Sequence, residues 1–198
     1  MAREHQYSLL APPVPTGFFY QPEFVTAAEE RQLVAEIERL EFKRVEMRGG
    51  VARRRVVHFG WTYGYYSRRN KPGNPLPVFL LPLRDHAAAW ATVSAEAFAE
   101  ALVTEYSAGA TIGWHRDAPL FGDVIAGISL LGASWMRFRP YASPKDQRGL
   151  PPRRASHEVE LEPRSAYLIS GKARRNFEHS IPAVDSLRYS ITFRTLRP

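Results

Sequence analysis

The sequence predicts an α+β domain, mainly β, in which a sandwich or barrel of short strands carries helices against one side. Three observations predict it. The C-terminal half is a succession of short β-branched and aromatic runs separated by Gly, Pro and Asp turns. Helical periodicity is concentrated in the N-terminal half. A length of 198 residues, 44% of them hydrophobic, suffices for one large core without covalent staples, so a single domain over residues 1–198 is expected.

Residues 1–24 are rich in proline and aromatic side chains (Pro12, Pro13, Pro15, Phe18, Phe19, Tyr20, Pro22), which predicts an irregular arm with extended pieces. Thr26-Ala27-Ala28-Glu29 is a capping box, and Leu33, Val34, Ile37 and Leu40 follow at helical spacing. An amphipathic helix of roughly 14 residues is expected there. From Val51 to Tyr66 the dense β-branched and aromatic text, interrupted by Gly60 and Gly64, predicts strands joined by a tight turn. Residues 67–77 read as a loop and Val78 to Trp90 as a helix. Ala95 to Tyr106 has helix-favouring composition at its start and alternation at its end, where a strand is expected. Further strands are predicted over Ile112–His115, Val124–Arg139, Ala155–Leu161, Ala166–Ser170, Phe177–Ile181 and Leu187–Leu196. The polar, basic segment from Tyr141 to Arg154 is expected to be a surface loop.

Composition excludes several classes. With no cysteine, disulfide scaffolds and cysteine-ligated zinc or iron–sulfur sites are ruled out. No stretch approaches ~20 consecutive apolar residues, so no membrane span is expected. The N-terminal MAREHQYSLL has no apolar run of the secretory kind, and a cytoplasmic address is expected. The 27 basic residues outnumber the 20 acidic ones by seven and are chiefly arginine. That excess suits a polyanionic partner and equally a plain solvated surface.

Two of the six histidines stand in an informative context. In Trp114-His115-Arg116-Asp117 an imidazole and a carboxylate lie two residues apart at a strand end, where alternate side chains share a face and both can reach one metal. His179, in another strand-like segment, can supply a third donor. Two histidines and one carboxylate on one face of an ion suit a non-haem Fe(II) oxygenase. His-x-Asp alone is common by chance, and His5, His58, His86 and His157 read as solvated or core residues. In the last strand, Arg188 and Arg194 are an even number of residues apart and share a face with Ser190 and Thr192. Arginines turned into a barrel need anions, and the planar guanidinium matches a carboxylate bidentately.

His115-x-Asp117, then His179-Ser180-Ile181-Pro182, then Arg188-Tyr189-Ser190-Ile191-Thr192-Phe193-Arg194 resembles the AlkB family of Fe(II)/2-oxoglutarate dioxygenases, in order over roughly residues 17–197. The resemblance implies a double-stranded β-helix (jelly-roll) core with supporting helices and an N-terminal nucleotide-recognition lid. Mapped onto this chain, 1–16 would be an arm, about 45–77 the substrate lid and about 98–197 the jelly-roll core. It implies that His115, Asp117 and His179 hold Fe(II), with 2-oxoglutarate and O2 as cosubstrates. Arg188 would pair with the distal carboxylate of 2-oxoglutarate, helped by Tyr106, and Arg194 would sit near the carboxylate closest to the metal. Ser190 and Thr104 stand where the family often has asparagine and would also contact the cosubstrate.

The activity implied is oxidative demethylation of N-alkylated bases in DNA or RNA: hydroxylation of an N-methyl group releases formaldehyde while 2-oxoglutarate becomes succinate and CO2. The lid segment interleaves Arg53, Arg54 and Arg55 with Phe59, Trp61, Tyr63 and Tyr65, a pattern that holds phosphates and stacks an unpaired or flipped base. The expected partner is therefore single-stranded or base-flipped DNA or RNA, with no membrane partner and a monomeric protein. One departure is Pro119, where well-studied members carry a second acid that contacts the damaged base. That leaves protein, transfer RNA or small-molecule hydroxylation as an alternative, and a non-catalytic nucleic-acid-binding module as a second.

Overall fold

A computed structural model describes residues 14–47, 50–63, 70–142 and 155–197. The elements run β1 (Phe18–Gln21), α1 (Ala27–Ile37), β2 (Lys43–Met47), β3 (Gly50–Tyr63), β4 (Asn70–Pro72), α2 (Leu81–Ala91), β5 (Phe98–Tyr106), β6 (Ile112–His115), β7 (Phe121–Leu131), β8 (Ser134–Pro140), β9 (His157–Leu161), β10 (Ala166–Ile169), α3 (Gly171–Asn176), β11 (Phe177–Ile181) and β12 (Arg188–Leu196). Short 3-10 turns precede α2 at Val78–Leu80 and β5 at Ala95–Ala97.

Two antiparallel sheets face each other. The larger has the order β1-β10-β7-β12-β5-β3-β2, with β4 paired to β3, and the smaller has the order β6-β11-β8-β9. Apart from β2–β3, β3–β4 and β8–β9, the neighbours in each are non-consecutive in the chain, as strand exchange between the two sheets of a double-stranded β-helix requires. Helices α1 and α2 pack on the outer face of the larger sheet. Leu33 and Ile37 of α1 and Leu83 and Ala87 of α2 form one core with Val103, Ile191 and Phe193. A second core between the sheets contains Phe18, Ile125, Met136, Phe138 and Ile169.

The period of two decides what each strand gives to each side. On β12, Tyr189, Ile191 and Phe193 join the helix-side core, while Arg188, Ser190, Thr192 and Arg194 line the space between the sheets. On β5, Ala101 and Val103 face the helices, and Glu100, Leu102, Thr104 and Tyr106 face inward.

Several expectations are revised. Residues 51–63 are not two strands with a tight turn but part of one 14-residue strand, β3. Gly60 has a positive φ of 76°, and a Cβ there would lie 2.1 Å from the carbonyl oxygen of Ala99. The glycine lets the strand change its pairing instead of reversing: up to Gly60 it runs along β5, and from Trp61 it pairs with β4. The segment 67–77, expected as loop, therefore contains a strand. Val124–Arg139 holds two strands rather than one: after Leu131, with φ 66°, the chain leaves β7 in the larger sheet and enters β8 in the smaller. Helix α3 was not foreseen, because six residues are too few for periodicity to register. The arm contains β1, paired with β10. Most of the loop expected over Tyr141–Arg154 lies outside the described residues.

Candidate active site

One cavity opens between the sheets, and the inward faces of β3, β5 and β12 meet β6 and β11 across it. His115 and His179 stand directly opposite each other in the β6–β11 register, with ring centroids 4.3 Å apart. Asp117, just beyond β6, brings its Oδ2 to 3.8 Å from His179 Nε2. The three side chains that the sequence singled out are thus gathered at one end of the cavity.

Their electrostatics suit a donor set. His115 Nδ1 faces the carbonyl of Gly113 at 2.9 Å, which places the proton on Nδ1 and leaves Nε2 its lone pair. Burial, and then the neighbouring His115, push the His179 imidazole down to about 3 against the pull of Asp117, so it stands neutral. Burial opposes ionisation of Asp117, but the Arg194 guanidinium overcomes it and holds the carboxyl well below its ordinary range. Arg194 Nε donates to Asp117 Oδ1 at 2.7 Å, which leaves Oδ2 toward His179. Among the described residues no group of three such side chains is spaced to hold an ion as it stands. The donor types, their protonation and their open atoms nonetheless fit a divalent ion.

At the other end lies Arg188, only 1% exposed. Its NH2 group donates to Ser129 Oγ at 2.9 Å and its guanidinium sits 5.2 Å from the Tyr106 ring centroid. Its Nε is buried with no hydrogen-bond partner. Tyr167 closes the same end, packed so tightly over Gly127 that a Cβ there would fall 2.1 Å from the ring. Burial pushes its phenol up to about 12. A buried guanidinium with an unused donor and two phenols beside it is a socket for a carboxylate. Thr104 and Ser190, cross-strand partners in register, line the cavity between the two ends.

Arg194 lines the cavity beside Asp117. Besides Asp117 it donates NH1 to Glu100 Oε2 at 2.9 Å, so two of its nitrogens are committed inside the protein. The lid residues divide. Arg54 lines the cavity from β3, with Val56 and His58. Arg55 points to the other side, in a fork on Glu105 with both bonds at 2.8 Å. Phe59 is 7% exposed and belongs to the helix-side core, not the cavity. Arg53 is exposed, and Trp61 is 40% exposed. Tyr65 and the Tyr63 side chain lie outside the described residues.

The family model of the 2OG-Fe(II) oxygenase superfamily matches residues 17–194. The chain belongs to that superfamily. An Arabidopsis thaliana protein named "Alkylated DNA repair protein ALKBH8 homolog" is 31% identical over 91% of this chain, and the match spans 56% of that relative's length. Among solved structures, OsALKBH1 superposes with a TM-score of 0.70 at 15% identity, covering 92% of this chain and 98% of the other. A Pseudomonas putida prolyl-4-hydroxylase gives 0.61 at 16% identity, covering 91% and 93%. The chain is a 2OG-Fe(II) oxygenase with a double-stranded β-helix fold, and it is similar to proteins named for AlkB homologues. Its cofactor is accordingly Fe(II), with 2-oxoglutarate and O2 as cosubstrates, and it is a dioxygenase of the oxidoreductase class. No helix among the described residues is long and apolar enough to cross a membrane.

Three site residues escaped the sequence reading. Arg174 of α3 donates to the carbonyls of Asp117, Ala118, Phe121 and Gly122 and so clamps the loop that carries Asp117. Glu100 is 1% exposed and pairs with Arg194 and with His58. His58, read as a solvated or core residue, lines the cavity. The available signal was alternation along β3 and β5, which puts Arg54, Val56 and His58 on one face and Glu100, Leu102 and Thr104 on another.

Proposed function

We propose that the protein is an oxidative demethylase of N-alkylated nucleobases in DNA or RNA. The observation that carries this reading is a cavity with an imidazole–carboxylate donor set at one end and, at the other, a buried guanidinium whose Nε has no partner among the described residues. The 31% identical relative, named for repair of alkylated DNA, supports the substrate class. So does Arg54 at the cavity wall, a cation placed beside the space a base would enter.

His115, Asp117 and His179 would hold Fe(II), and Arg188 with Tyr106 would take the distal carboxylate of 2-oxoglutarate. When bound, the metal and cosubstrate supply hydroxylation of a C–H bond coupled to formation of succinate and CO2. The protein's own side chains supply the rest. Arg194 keeps the Asp117 carboxylate ionised and fixes its rotamer through Oδ1. Arg174 holds the backbone of the following loop, so the carboxylate cannot swing away. The apolar walls Ile125, Met136 and Ile181 restrict water around the reacting carbon. A hydroxylated N-methyl group then loses formaldehyde, with its hydroxyl proton leaving as the C–N bond breaks.

The test is mass spectrometry of single-stranded DNA and RNA oligonucleotides carrying 1-methyladenine or 3-methylcytosine, incubated with protein, Fe(II), 2-oxoglutarate and ascorbate beside the Asp117→Ala variant. Loss of a methylene's mass with the wild type alone is the expected result. Conversion of 2-oxoglutarate to succinate with every base still methylated would overturn the substrate assignment and leave the dioxygenase.

A further inference from the structure

Glu100 poses a question that the metal and cosubstrate ends do not answer. It sits on β5 with its side chain turned into the cavity, where its neighbour on the same face is Leu102. A buried carboxylate is costly unless it is paired and hydrogen-bonded. Here both oxygens are occupied: Oε2 accepts from Arg194 at 2.9 Å, and Oε1 lies 3.0 Å from Nδ1 of His58 on the adjacent strand. Arg194 already has Asp117, so an apolar residue at position 100 would still leave it one carboxylate. What an apolar residue could not do is hold the imidazole.

An ionised carboxylate only accepts, so His58 carries its proton on Nδ1 and donates it to Glu100. In the neutral ring Nε2 is then an acceptor. It has no partner among the described residues, and the side chain is 38% exposed on the cavity-lining face of β3. That acceptor belongs to a side chain in the wall of the chamber that also holds His115, Asp117 and His179. The chain of contacts from His58 through Glu100 and Arg194 to Asp117 fixes it relative to the reacting centre.

We propose that His58, held by Glu100, hydrogen-bonds the edge of the substrate base in the cavity and selects bases presenting an exocyclic N–H donor over those presenting a carbonyl. The proposal rests on the nucleobase reading above. His58 is a specificity-determining residue and Glu100 a positioning residue acting through it. Exchanging Glu100 for glutamine has a distinctive consequence. Arg194 will claim the amide oxygen, which turns the amide N–H toward Nδ1. The ring must then accept there and carry its proton on Nε2, so the acceptor becomes a donor.

The experiment is fluorescence-anisotropy binding of three single-stranded oligonucleotides to the Mn(II)-loaded protein with 2-oxoglutarate, in the absence of O2. They are identical except at one position, which holds 1-methyladenine, 1-methylhypoxanthine (the exocyclic amine replaced by a carbonyl) or an abasic site. The wild type is expected to prefer 1-methyladenine to 1-methylhypoxanthine by about tenfold, the worth of roughly one hydrogen bond. His58→Phe, which keeps a planar ring, is expected to bind both equally and the abasic strand as the wild type does. Glu100→Gln is expected to reverse the order. A preference that survives in His58→Phe, or an equal loss on all three strands, would overturn the role of His58. A wild type that binds the abasic strand as tightly as both base-bearing strands would instead overturn the nucleobase reading, and this inference with it.

Discussion

Replacing Arg188 with methionine is expected to stabilise the empty protein while removing its response to 2-oxoglutarate. Arg188 is among the most deeply buried side chains and no carboxylate among the described residues contacts it. Burial pulls its guanidinium below the ordinary arginine range, with only the Tyr106 and Tyr167 phenols opposing. The effective cost of burying such an ion is several kcal/mol. The charged hydrogen bond to Ser129 at 2.9 Å and the Tyr106 ring at 5.2 Å offset roughly 3–4 kcal/mol of it. A net relief of ~2 kcal/mol in a chain of this size corresponds to a rise in Tm of roughly 4–8 °C. In the wild type, 2-oxoglutarate at a hundredfold excess over its Kd contributes ~2.7 kcal/mol, a shift of roughly 5–10 °C. Scanning calorimetry of both proteins with Mn(II), with and without 2-oxoglutarate, reads the two quantities together. A variant that melts lower than the wild type and still gains from 2-oxoglutarate would refute the reasoning, since Arg188 would then be a satisfied structural residue.

Asp117→Ala is expected to lower Fe(II)-dependent succinate formation by on the order of 100-fold or more, measured by chromatography, with far-UV circular dichroism unchanged. Thr26→Ala removes the hydroxyl that accepts from Glu29 N at 3.2 Å, and is expected to cost ~1 kcal/mol, a fall in Tm of roughly 2–4 °C at pH 7. The N–H of Thr26, and then its hydroxyl, hold the Glu29 carboxyl below its ordinary value. A lowered folded value means that this stabilisation is complete above the ordinary carboxylate range and lost as pH falls through the lowered value. The gap between wild type and Thr26→Ala should therefore narrow in melts below roughly pH 4. Gly60→Ala is expected to destabilise by at least ~2 kcal/mol, because φ is 76° and the added Cβ meets the Ala99 carbonyl at 2.1 Å. Urea denaturation at constant m would measure it.

The ligand and cosubstrate candidates were legible because they obey short-range rules. His115 and Asp117 are two residues apart in a strand end, and Arg188, Ser190, Thr192 and Arg194 follow the strand period. Their common face in the structure is the one that alternation requires. The lid was less legible for the same reason in reverse. Phe59, Trp61 and the arginines look alike as a basic aromatic run, yet parity sends Arg54 and His58 into the cavity and Phe59 into the helix-side core. Composition alone cannot assign parity to a strand whose pairing changes at a glycine.

A mainly β domain with helices on one side, the exclusion of cysteine chemistry and the period-two placement of the arginines all follow from local pattern, where each residue interacts with neighbours a few positions away. The pairing of Glu100 with His58 across 42 residues, of Arg194 with Glu100 across 94 and of Arg174 with the Asp117 loop across 57 does not. Such contacts depend on which strands become neighbours, and that is settled by the burial of whole sheet faces against α1, α2 and the opposing sheet. A single strand carries the alternation that makes a site possible, and the packing of two sheets chooses which side chains complete it.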